Sequence, residues 1–354
     1  MQQEWVRQLL AWYEDNARPL PWRDTPDPYR VWVSEIMLQQ TRIEAVRPYF
    51  DRFMRELPTI RALAQVPEER LMKLWEGLGY YSRARNLQAA AKRIVEHYDG
   101  QMPASYEELL ALPGIGEYTA GAIASIAFGI PVPAVDGNVL RVMARLLCYD
   151  RDVMQPAVRK EMTGILRTMV PADAPGRFNQ ALMELGETIC LPRTEPDCGT
   201  CPIQPYCEAA ARHCARELPV RAKPRERRIE QRTVLLLIRA SAEGRQVLVR
   251  KRPPKGLLAG MWELPNVDGW YVRQEVERLV EKSGANVKSL YTLQGAKHVF
   301  SHIEWHMQGW YVQVSGETAE PAGKWVDSRE LAEEIALPSA FRAYSALLPI
   351  LLRE

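Results

Sequence analysis

Four cysteines near the middle of the chain have the spacing of metal ligands. They are separated by seven, two and five residues and are Cys190, Cys198, Cys201 and Cys207. Thiolates at such spacing can converge on one soft metal centre, either zinc or an iron–sulfur cluster. Two disulfides or four separate buried thiols are the alternatives, but nothing in the sequence indicates export to an oxidising compartment. The other two cysteines, Cys148 and Cys214, are interpreted as ordinary thiols.

A carboxylate on an apolar helix face is the first candidate for acid–base chemistry. Asp27 is a good N-cap and Pro28 is favoured at the first helical position, so a helix should begin there. Glu35 follows Val31 by four residues and precedes Leu38 by three, which places it on an apolar stripe. Burial there raises the pKa of a carboxyl. The alternative is a glutamate at the edge of a buried face that reaches water.

A second carboxylate precedes another amphipathic helix. Asp136 and Asn138 stand before an apolar face that begins at Val139. Either residue could simply be the N-cap of that helix. Asp136 becomes a catalytic candidate only if it faces Glu35.

A glycine-containing turn separates two further helical segments in the run LPGIGEYTAGAI, which starts at Leu112. Gly114 and Gly116 make a tight turn, and their exposed backbone N–H groups at a helix start suit a phosphate. Small residues from 120 to 124 allow close helix packing. A tight helical hairpin without a ligand is the alternative.

The composition describes a globular protein with room for two domains. The chain has 354 residues, 47% of them hydrophobic, and a formal net charge of +2. It has no run of the roughly 18 apolar residues that span a bilayer. The N-terminal segment resembles an amphipathic helix rather than a signal peptide. We therefore expect a cytoplasmic protein without a membrane segment.

The periodicity changes along the chain. Apolar residues recur every three or four positions up to about residue 215, which predicts helices. Segments 232–240, 246–251 and 303–314 read as strands, while 272–282 and 339–352 read as helical. Between the two parts, residues 216–230 form an arginine-rich run with prolines. This run is either a solvated connector or a phosphate-contacting linker.

Taken together, these motifs resemble the helix-hairpin-helix DNA glycosylases of the endonuclease III superfamily, and within them the adenine DNA glycosylases. The resemblance is carried by SEIMLQQT, EGLGYYSRARNL, LPGIGEYTAGAI, VDGNVLR, the four cysteines and a C-terminal segment with FSH. It implies an all-α helix-hairpin-helix glycosylase core, at 1–215, with an iron–sulfur cluster loop at 190–207. A basic linker at 216–230 and an α+β Nudix-like domain at 231–354 would follow.

The resemblance also implies a cofactor and a reaction. The cofactor is a [4Fe–4S] cluster, although the first cysteine gap is seven residues here and six in the family. The reaction is hydrolysis of the N-glycosidic bond of adenine opposite 8-oxoguanine or guanine in double-stranded DNA. Glu35 would protonate N7 of adenine and Asp136 would stabilise the sugar cation, with Asn138 and Tyr118 beside them. Tyr118 stands where endonuclease III has its Schiff-base lysine, which implies a monofunctional enzyme.

The remaining implied site residues fall into three groups. The adenine pocket would include Arg18, Trp22 and Gln180. Contacts to DNA around 8-oxoguanine would come from Leu38, Gln40, Thr41, Tyr80, Gly114 and Gly116, and from the loop Phe300, Ser301 and His302. The alternative for His302, as for nearby His298 and His306, is an ordinary position on a strand face.

Two rival functions remain open from the sequence. One is an endonuclease III-like lyase that acts on oxidised pyrimidines, and the other is a cluster-bearing DNA-binding protein without catalysis. Nudix hydrolase activity is not expected, because WYVRQEVERLVEK does not supply the metal-binding REUxEE pattern. We expect a monomer that contacts DNA and no membrane.

Overall fold

The computed structural model describes residues 2–192, 194–222, 226–316 and 323–353, which form two compact units. One unit comprises Met1–Val66 and Ser82–Lys223, and the other comprises Pro67–Tyr81 and Pro224–Glu354. Within the predicted linker, residues 223–225 lie outside the described residues, and residues 228–230 already belong to the first strand. No helix in the described part of the chain is long and apolar enough to cross a membrane.

The first unit is helical, as predicted. In chain order up to residue 211, the helices are α1 (Gln2–Asn16), α2 (Pro28–Leu38), α3 (Ile43–Glu56), α4 (Ile60–Gln65), α5 (Glu68–Leu74), α6 (Ser82–His97), α7 (Tyr106–Leu110), α8 (Glu117–Phe128), α9 (Gly137–Leu146), α10 (Pro156–Arg167), α11 (Pro175–Thr188) and α12 (Glu208–Ala211). Of these, α5 groups with the second unit.

The apolar stripes of α1, α9 and α11 meet in one core. Leu9, Met143, Phe178 and Leu182 have no exposed surface, and they pack in a single cluster. These are the periodic apolar positions of three amphipathic helices, so the core follows from the 3.6-residue repeat. The packing fixes α9 and α11, which carry several residues of the site described below.

The small residues of α8 permit the close packing that the sequence predicts. A Cβ atom on Gly121 would lie 2.2 Å from the carbonyl oxygen of Pro133, which is too close for any side chain. Ala120, Ala122 and Ala124 are fully buried around it. The backbone that leads into α9 therefore lies directly against α8.

The second unit contains a mixed sheet. Within residues 226–316 and 323–353 its seven strands are β1 (Arg228–Ser241), β2 (Gly244–Lys251), β3 (Trp262–Glu263), β4 (Asn266–Asp268), β5 (Asn286–Val299), β6 (Ile303–Ser315) and β7 (Gly323–Val326). The order is β3-β2-β1-β6-β5, with β4 paired to β1 and β7 paired to β2. Strands β1 and β6 are parallel, and the other pairs are antiparallel.

Strand β1 is covered on both faces, which explains its continuous apolar run. Successive side chains of a strand point to opposite faces. Leu236 belongs to the cluster that contains Tyr344, while Leu235 belongs to the cluster that contains Val276 and Val280 of α13 (Arg273–Lys282). The remaining helices are α14 (Ser328–Glu333), α15 (Arg342–Ser345) and α16 (Leu348–Leu351).

Besides the short elements β3, β4 and α14, which the sequence did not predict, two larger features of this unit differ from the sequence prediction. Strand β5 was not predicted, because register shifts at Val287/Ser289 and Leu293/Ala296 interrupt the alternation of apolar and polar residues. The predicted helical stretch 339–352 is divided into a 3₁₀ turn at Ser339–Phe341 and the short helices α15 and α16. Pro349 lies in the first turn of α16, where its missing N–H costs no helical hydrogen bond.

Candidate active site

Both predicted carboxylates line one cavity of the first unit. The cavity has a volume of about 550 Å³, within the usual range for a ligand pocket. Glu35 comes from the middle of α2, Asp136 and Asn138 from the start of α9, and Tyr118 from the first turn of α8. Three elements that are distant in sequence therefore bring these polar groups to one space.

Glu35 is a buried acid. Asp27 caps α2 by accepting a hydrogen bond from the backbone N–H of Arg30 at 2.8 Å, and the helix is buried over most of its length. Glu35 itself is 6% exposed, and its Oε2 accepts a hydrogen bond from the Tyr118 hydroxyl. Burial raises the pKa of Glu35 to about 7, the Tyr118 hydrogen bond opposes that rise, and the Asp136 charge adds to it.

Asp136 is held by backbone amides at the start of α9. Its Oδ1 accepts hydrogen bonds from the N–H groups of Asn138 at 2.9 Å and Val139 at 2.8 Å, and its Oδ2 accepts one from Asn138 Nδ2 at 2.9 Å. Burial raises the pKa of Asp136, while the two backbone hydrogen bonds act to lower it. Asp136 is thus the N-cap of α9, and it also lines the cavity together with Glu35.

Tyr118 is a neutral hydrogen-bond donor in this site. Its pKa is raised well above the ordinary value, first by burial and then by the charges of Glu35 and Asp136. A phenol that keeps its proton can donate to the Glu35 carboxylate but cannot act as a base. The side chain also contacts the sulfur of Met183 at 3.8 Å.

Of the three residues predicted for the adenine pocket, two line the cavity. Trp22 packs edge-on against Phe50, with ring centroids 5.2 Å apart, and Gln180 accepts a hydrogen bond from the Tyr13 hydroxyl at 2.6 Å. Arg18 is not part of the cavity lining. Its guanidinium instead pairs with the carboxylates of Glu184 and Glu187.

A cluster of charges in the cavity wall was not predicted. Arg23 and Glu184 both line the cavity, and Arg23 Nη2 lies 2.8 Å from Glu184 Oε2. The Glu184 side chain is fully buried, and its two arginine partners lower its pKa against the effect of burial. Helical spacing could have identified Glu184 as a candidate, because Gln180, Glu184 and Glu187 lie on one face of α11.

The residues expected to enter the DNA helix lie in different places. Leu38 and Gln40 line the cavity, and Gln40 adopts a left-handed backbone conformation with φ of 58°. Thr41 lies beyond the lining, where its hydroxyl donates to the Gln39 carbonyl at 3.4 Å. Tyr80 belongs to the second unit, has φ of 48° and is 48% exposed.

The glycine turn has the predicted conformation, and it leads directly into α8. Gly114 has φ of 74°, and a Cβ atom there would lie 2.5 Å from the Cβ of Asn86. Gly116 is the N-cap residue of α8, two positions before Tyr118. Neither glycine lines the cavity that contains Glu35 and Asp136.

The FSH segment forms the loop between β5 and β6. The ring of Phe300 packs edge-on against His298 at 4.6 Å and Trp305 at 5.0 Å, which anchors the loop. Ser301 and His302 are exposed at its tip. The alternative placement on a strand face is thus wrong for His302, whereas it holds for His298 in β5 and for His306 in β6.

The four clustered cysteines line one small apolar cavity between α9, α11 and α12. Arg145 Nη1 donates to Cys190 Sγ at 3.2 Å, and burial raises the pKa of Cys201 to about 12. No cysteine among the described residues is in a disulfide, and no group of three or more His, Cys, Asp or Glu side chains there has single-ion geometry. Four thiols in an apolar, cation-flanked cavity nevertheless fit a soft metal centre by donor type.

The fold and the site together define a class of protein. Residues 33–167 match the family described as HhH-GPD superfamily base excision DNA repair protein, and residues 233–347 match the NUDIX domain family. The chain is also similar to a thermostable thymine-DNA glycosylase, with a TM-score of 0.55 and 28% identity over 60% of this chain and 97% of that one. The predicted helical glycosylase core with a Nudix-like domain is therefore confirmed.

A second solved structure supports the same fold. Endonuclease III in a non-covalent DNA complex has a TM-score of 0.51 and 24% identity, over 60% of this chain and 98% of that one.

The adenine DNA glycosylase of Homo sapiens is 35% identical over 96% of this chain and 74% of its own length. The chain belongs to the adenine DNA glycosylase family. Its reaction is hydrolysis of the N-glycosidic bond of adenine in DNA.

Proposed function

We propose that this enzyme removes adenine paired with 8-oxoguanine from duplex DNA by hydrolysis alone, without cutting the strand. The observation that carries the proposal is that Glu35 and Asp136 line the same cavity and have different hydrogen-bond partners. We also propose that the enzyme acts as a monomer in the cytoplasm. Single-turnover release of adenine from a duplex with one adenine:8-oxoguanine pair tests the reaction, and failure to release adenine would end the proposal.

Glu35 acts as the general acid. The adenine anion is a poor leaving group, so a proton delivered to N7 lowers the barrier to bond cleavage. A carboxyl with a pKa of about 7 keeps that proton near neutral pH, and the Tyr118 hydroxyl holds it in position. After adenine leaves, the Glu35 carboxylate can orient the attacking water, as in other two-carboxylate glycosidases.

Asp136 stabilises the sugar as the bond lengthens. The transition state carries oxocarbenium charge, and a fixed carboxylate beside it needs no reorganisation during the reaction. The N–H groups of Asn138 and Val139 favour the charged form of Asp136. These bonds also fix the direction of the carboxylate towards the cavity.

The adenine must leave the duplex before it reaches these groups. Trp22 and Gln180 lie in the cavity wall, and the Tyr13 hydrogen bond engages the side-chain oxygen of Gln180. The Gln180 amide N–H groups are then free of that bond and suit an acceptor nitrogen of the base. For Leu38 and Gln40, which also line the cavity, we propose that they enter the DNA helix around 8-oxoguanine.

The reaction stops after base removal because the site has a tyrosine in the decisive position. A strand-cutting relative would need an amine to form an imine with the sugar. Tyr118 offers a neutral phenol, which cannot form one. Borohydride should therefore trap no covalent DNA complex, and a trapped complex would favour the endonuclease III-like alternative.

Recognition of 8-oxoguanine is proposed for the loop tip in the Nudix-like domain. Ser301 and His302 are exposed there, and both can donate or accept hydrogen bonds. 8-Oxoguanine differs from guanine by an N–H and a carbonyl oxygen that such groups can read. Ser301→Ala should lower the preference for 8-oxoguanine over guanine roughly tenfold, as expected for one or two lost hydrogen bonds. Ser241→Ala, at the end of β1, is the matched control.

A [4Fe–4S] cluster is proposed for Cys190, Cys198, Cys201 and Cys207. When bound, it would supply a rigid structural centre for the loop between α11 and α12. The thiolates of Cys190, Cys198, Cys201 and Cys207 would hold the cluster as its protein ligands. Purified protein should contain about four iron atoms per chain and lose them in Cys198→Ser, whereas zinc in place of iron would overturn the assignment.

A further inference from the structure

The two cysteines outside the metal-ligand set lie opposite each other. The sulfurs of Cys148 and Cys214 are 3.2 Å apart, although the residues are 66 positions apart in sequence. Both side chains are half-buried, so a small solute can reach them, and neither is in a disulfide. A disulfide brings two sulfurs to about 2 Å, so the side chains need to close only about 1 Å.

Both cysteines occur in the terminal turn of a helix. Cys148 follows α9 in the left-handed conformation, with φ of 47°. Its N–H donates to the Arg145 carbonyl at 3.2 Å, and the next N–H, from Tyr149, donates to the Ala144 carbonyl at 2.7 Å. This is the turn that usually places glycine at the left-handed position. The backbone thus gives no reason for a cysteine there.

The same kind of turn ends α12. His213 is left-handed with φ of 55°, and the N–H of Cys214 donates to the Ala209 carbonyl at 2.9 Å. The two sulfurs therefore project from two hydrogen-bonded helix ends rather than from irregular loops. Such ends fix the directions of the two Cα–Cβ bonds, which keeps the two sulfurs within reach of each other.

We propose that Cys148 and Cys214 form a reversible oxidation site that closes as an intramolecular disulfide. The oxidant is a small-molecule disulfide such as oxidised glutathione. One thiolate attacks its S–S bond and releases one glutathione thiol, and the second cysteine then displaces the other glutathione. Two protein thiols and one oxidised glutathione give one protein disulfide and two reduced glutathiones, so atoms, protons and electrons balance.

The cross-link would act on the segment that lies between its ends. Residues 148–214 contain Cys190, Cys198, Cys201 and Cys207. Cys148 also lies two residues after the end of α9, whose Arg145 donates to the sulfur of Cys190. Closing this loop restricts the unfolded chain and ties the end of α12 to the end of α9. The proposal does not depend on which metal the four cysteines bind or on the substrate.

Peptide mapping of the full-length protein tests the site. Trypsin releases Cys148 in residues 146–151 and Cys214 in residues 213–216, and neither peptide contains another cysteine. After treatment with oxidised glutathione and alkylation without reduction, we expect these two peptides joined, with a mass two hydrogens below their sum. Dithiothreitol should restore both free peptides. Full alkylation of both cysteines, or stable glutathione on either of them, would overturn the proposal.

Serine variants separate the disulfide from unrelated oxidation. In Cys148→Ser and in Cys214→Ser, the remaining cysteine should carry glutathione and no joined peptide should form. Oxidation should raise the unfolding midpoint of the wild type by about 5 °C and leave that of either variant unchanged. An equal rise in a variant would show that the stabilisation comes from somewhere other than this pair.

Discussion

The two carboxylates of the cavity come from opposite kinds of local structure. Glu35 lies in the middle of a buried helix and has the Tyr118 hydroxyl as its hydrogen-bond donor, whereas Asp136 lies at a helix start and receives two backbone N–H bonds. The first environment penalises charge and the second partly compensates for it. One cavity therefore holds two buried carboxyl groups whose pKa values respond to different neighbours, a phenol hydroxyl for Glu35 and backbone amides for Asp136.

The largest effect should come from removing the proton that we propose Glu35 donates to adenine. Glu35→Gln keeps the size of the side chain and can still accept the Tyr118 hydrogen bond, but it has no acidic proton. We expect adenine release to fall by at least about 10³-fold, in the range of a lost general acid, while DNA binding is kept. Single-turnover assays and binding titrations on the same duplex measure the two, and full activity would show that Glu35 is not the acid.

Substitutions at Asp136 can separate the effect of its charge on the reaction from its effect as the N-cap of α9. Asparagine is as good an N-cap as aspartate, so Asp136→Asn should keep α9 stable while it removes the charge. We expect roughly 10²-fold slower adenine release, as for loss of one electrostatic stabiliser.

Asp136→Ala is the matched variant for that comparison. It should be equally slow and also about 1 kcal/mol less stable, because the cap is lost. Chemical denaturation measures the stability of the two variants. Equal destabilisation by asparagine and alanine would contradict the separation.

The buried acid should also appear in the pH dependence of stability. In the unfolded chain a glutamate has a pKa of about 4.3, and in the folded protein burial raises that of Glu35 to about 7. Between these values the folded state binds more protons, so stability falls as pH rises and the full cost is present above pH 7. The free energy of unfolding of Glu35→Gln should exceed that of the wild type by up to about 3 kcal/mol at high pH. The two free energies should be equal near the pKa of glutamate in the unfolded chain.

A smaller effect should sharpen the role of Tyr118. Its hydrogen bond lowers the pKa of Glu35, so Tyr118→Phe should raise that pKa. The wild type should lose activity as pH rises through about 7, and the variant should lose it at a higher pH. At pH values below this loss of activity, the rate of adenine release by the variant should be about tenfold lower than that of the wild type, because one positioning hydrogen bond is lost. An unchanged limb in the pH–rate profile would contradict the coupling.

Local sequence patterns determined much of this protein. The N-cap at Asp27, the apolar stripe around Glu35 and the cap at Asp136 are properties of a few neighbouring residues, so periodicity and capping rules reveal them. The break between the helical part and the sheet part was visible for the same reason. The order of the motifs along the chain then indicated the resemblance to the helix-hairpin-helix DNA glycosylases.

Only the tertiary structure decided which groups meet. Glu35 and Asp136 share a cavity because α8 packs against both α2 and α11, and α11 packs against α9. No local rule predicts these contacts between distant segments. The same holds for Glu184 and its arginines, and for the two sulfurs of Cys148 and Cys214. Capping and periodicity act within a few residues, whereas contacts between distant segments arise when whole apolar faces are buried together.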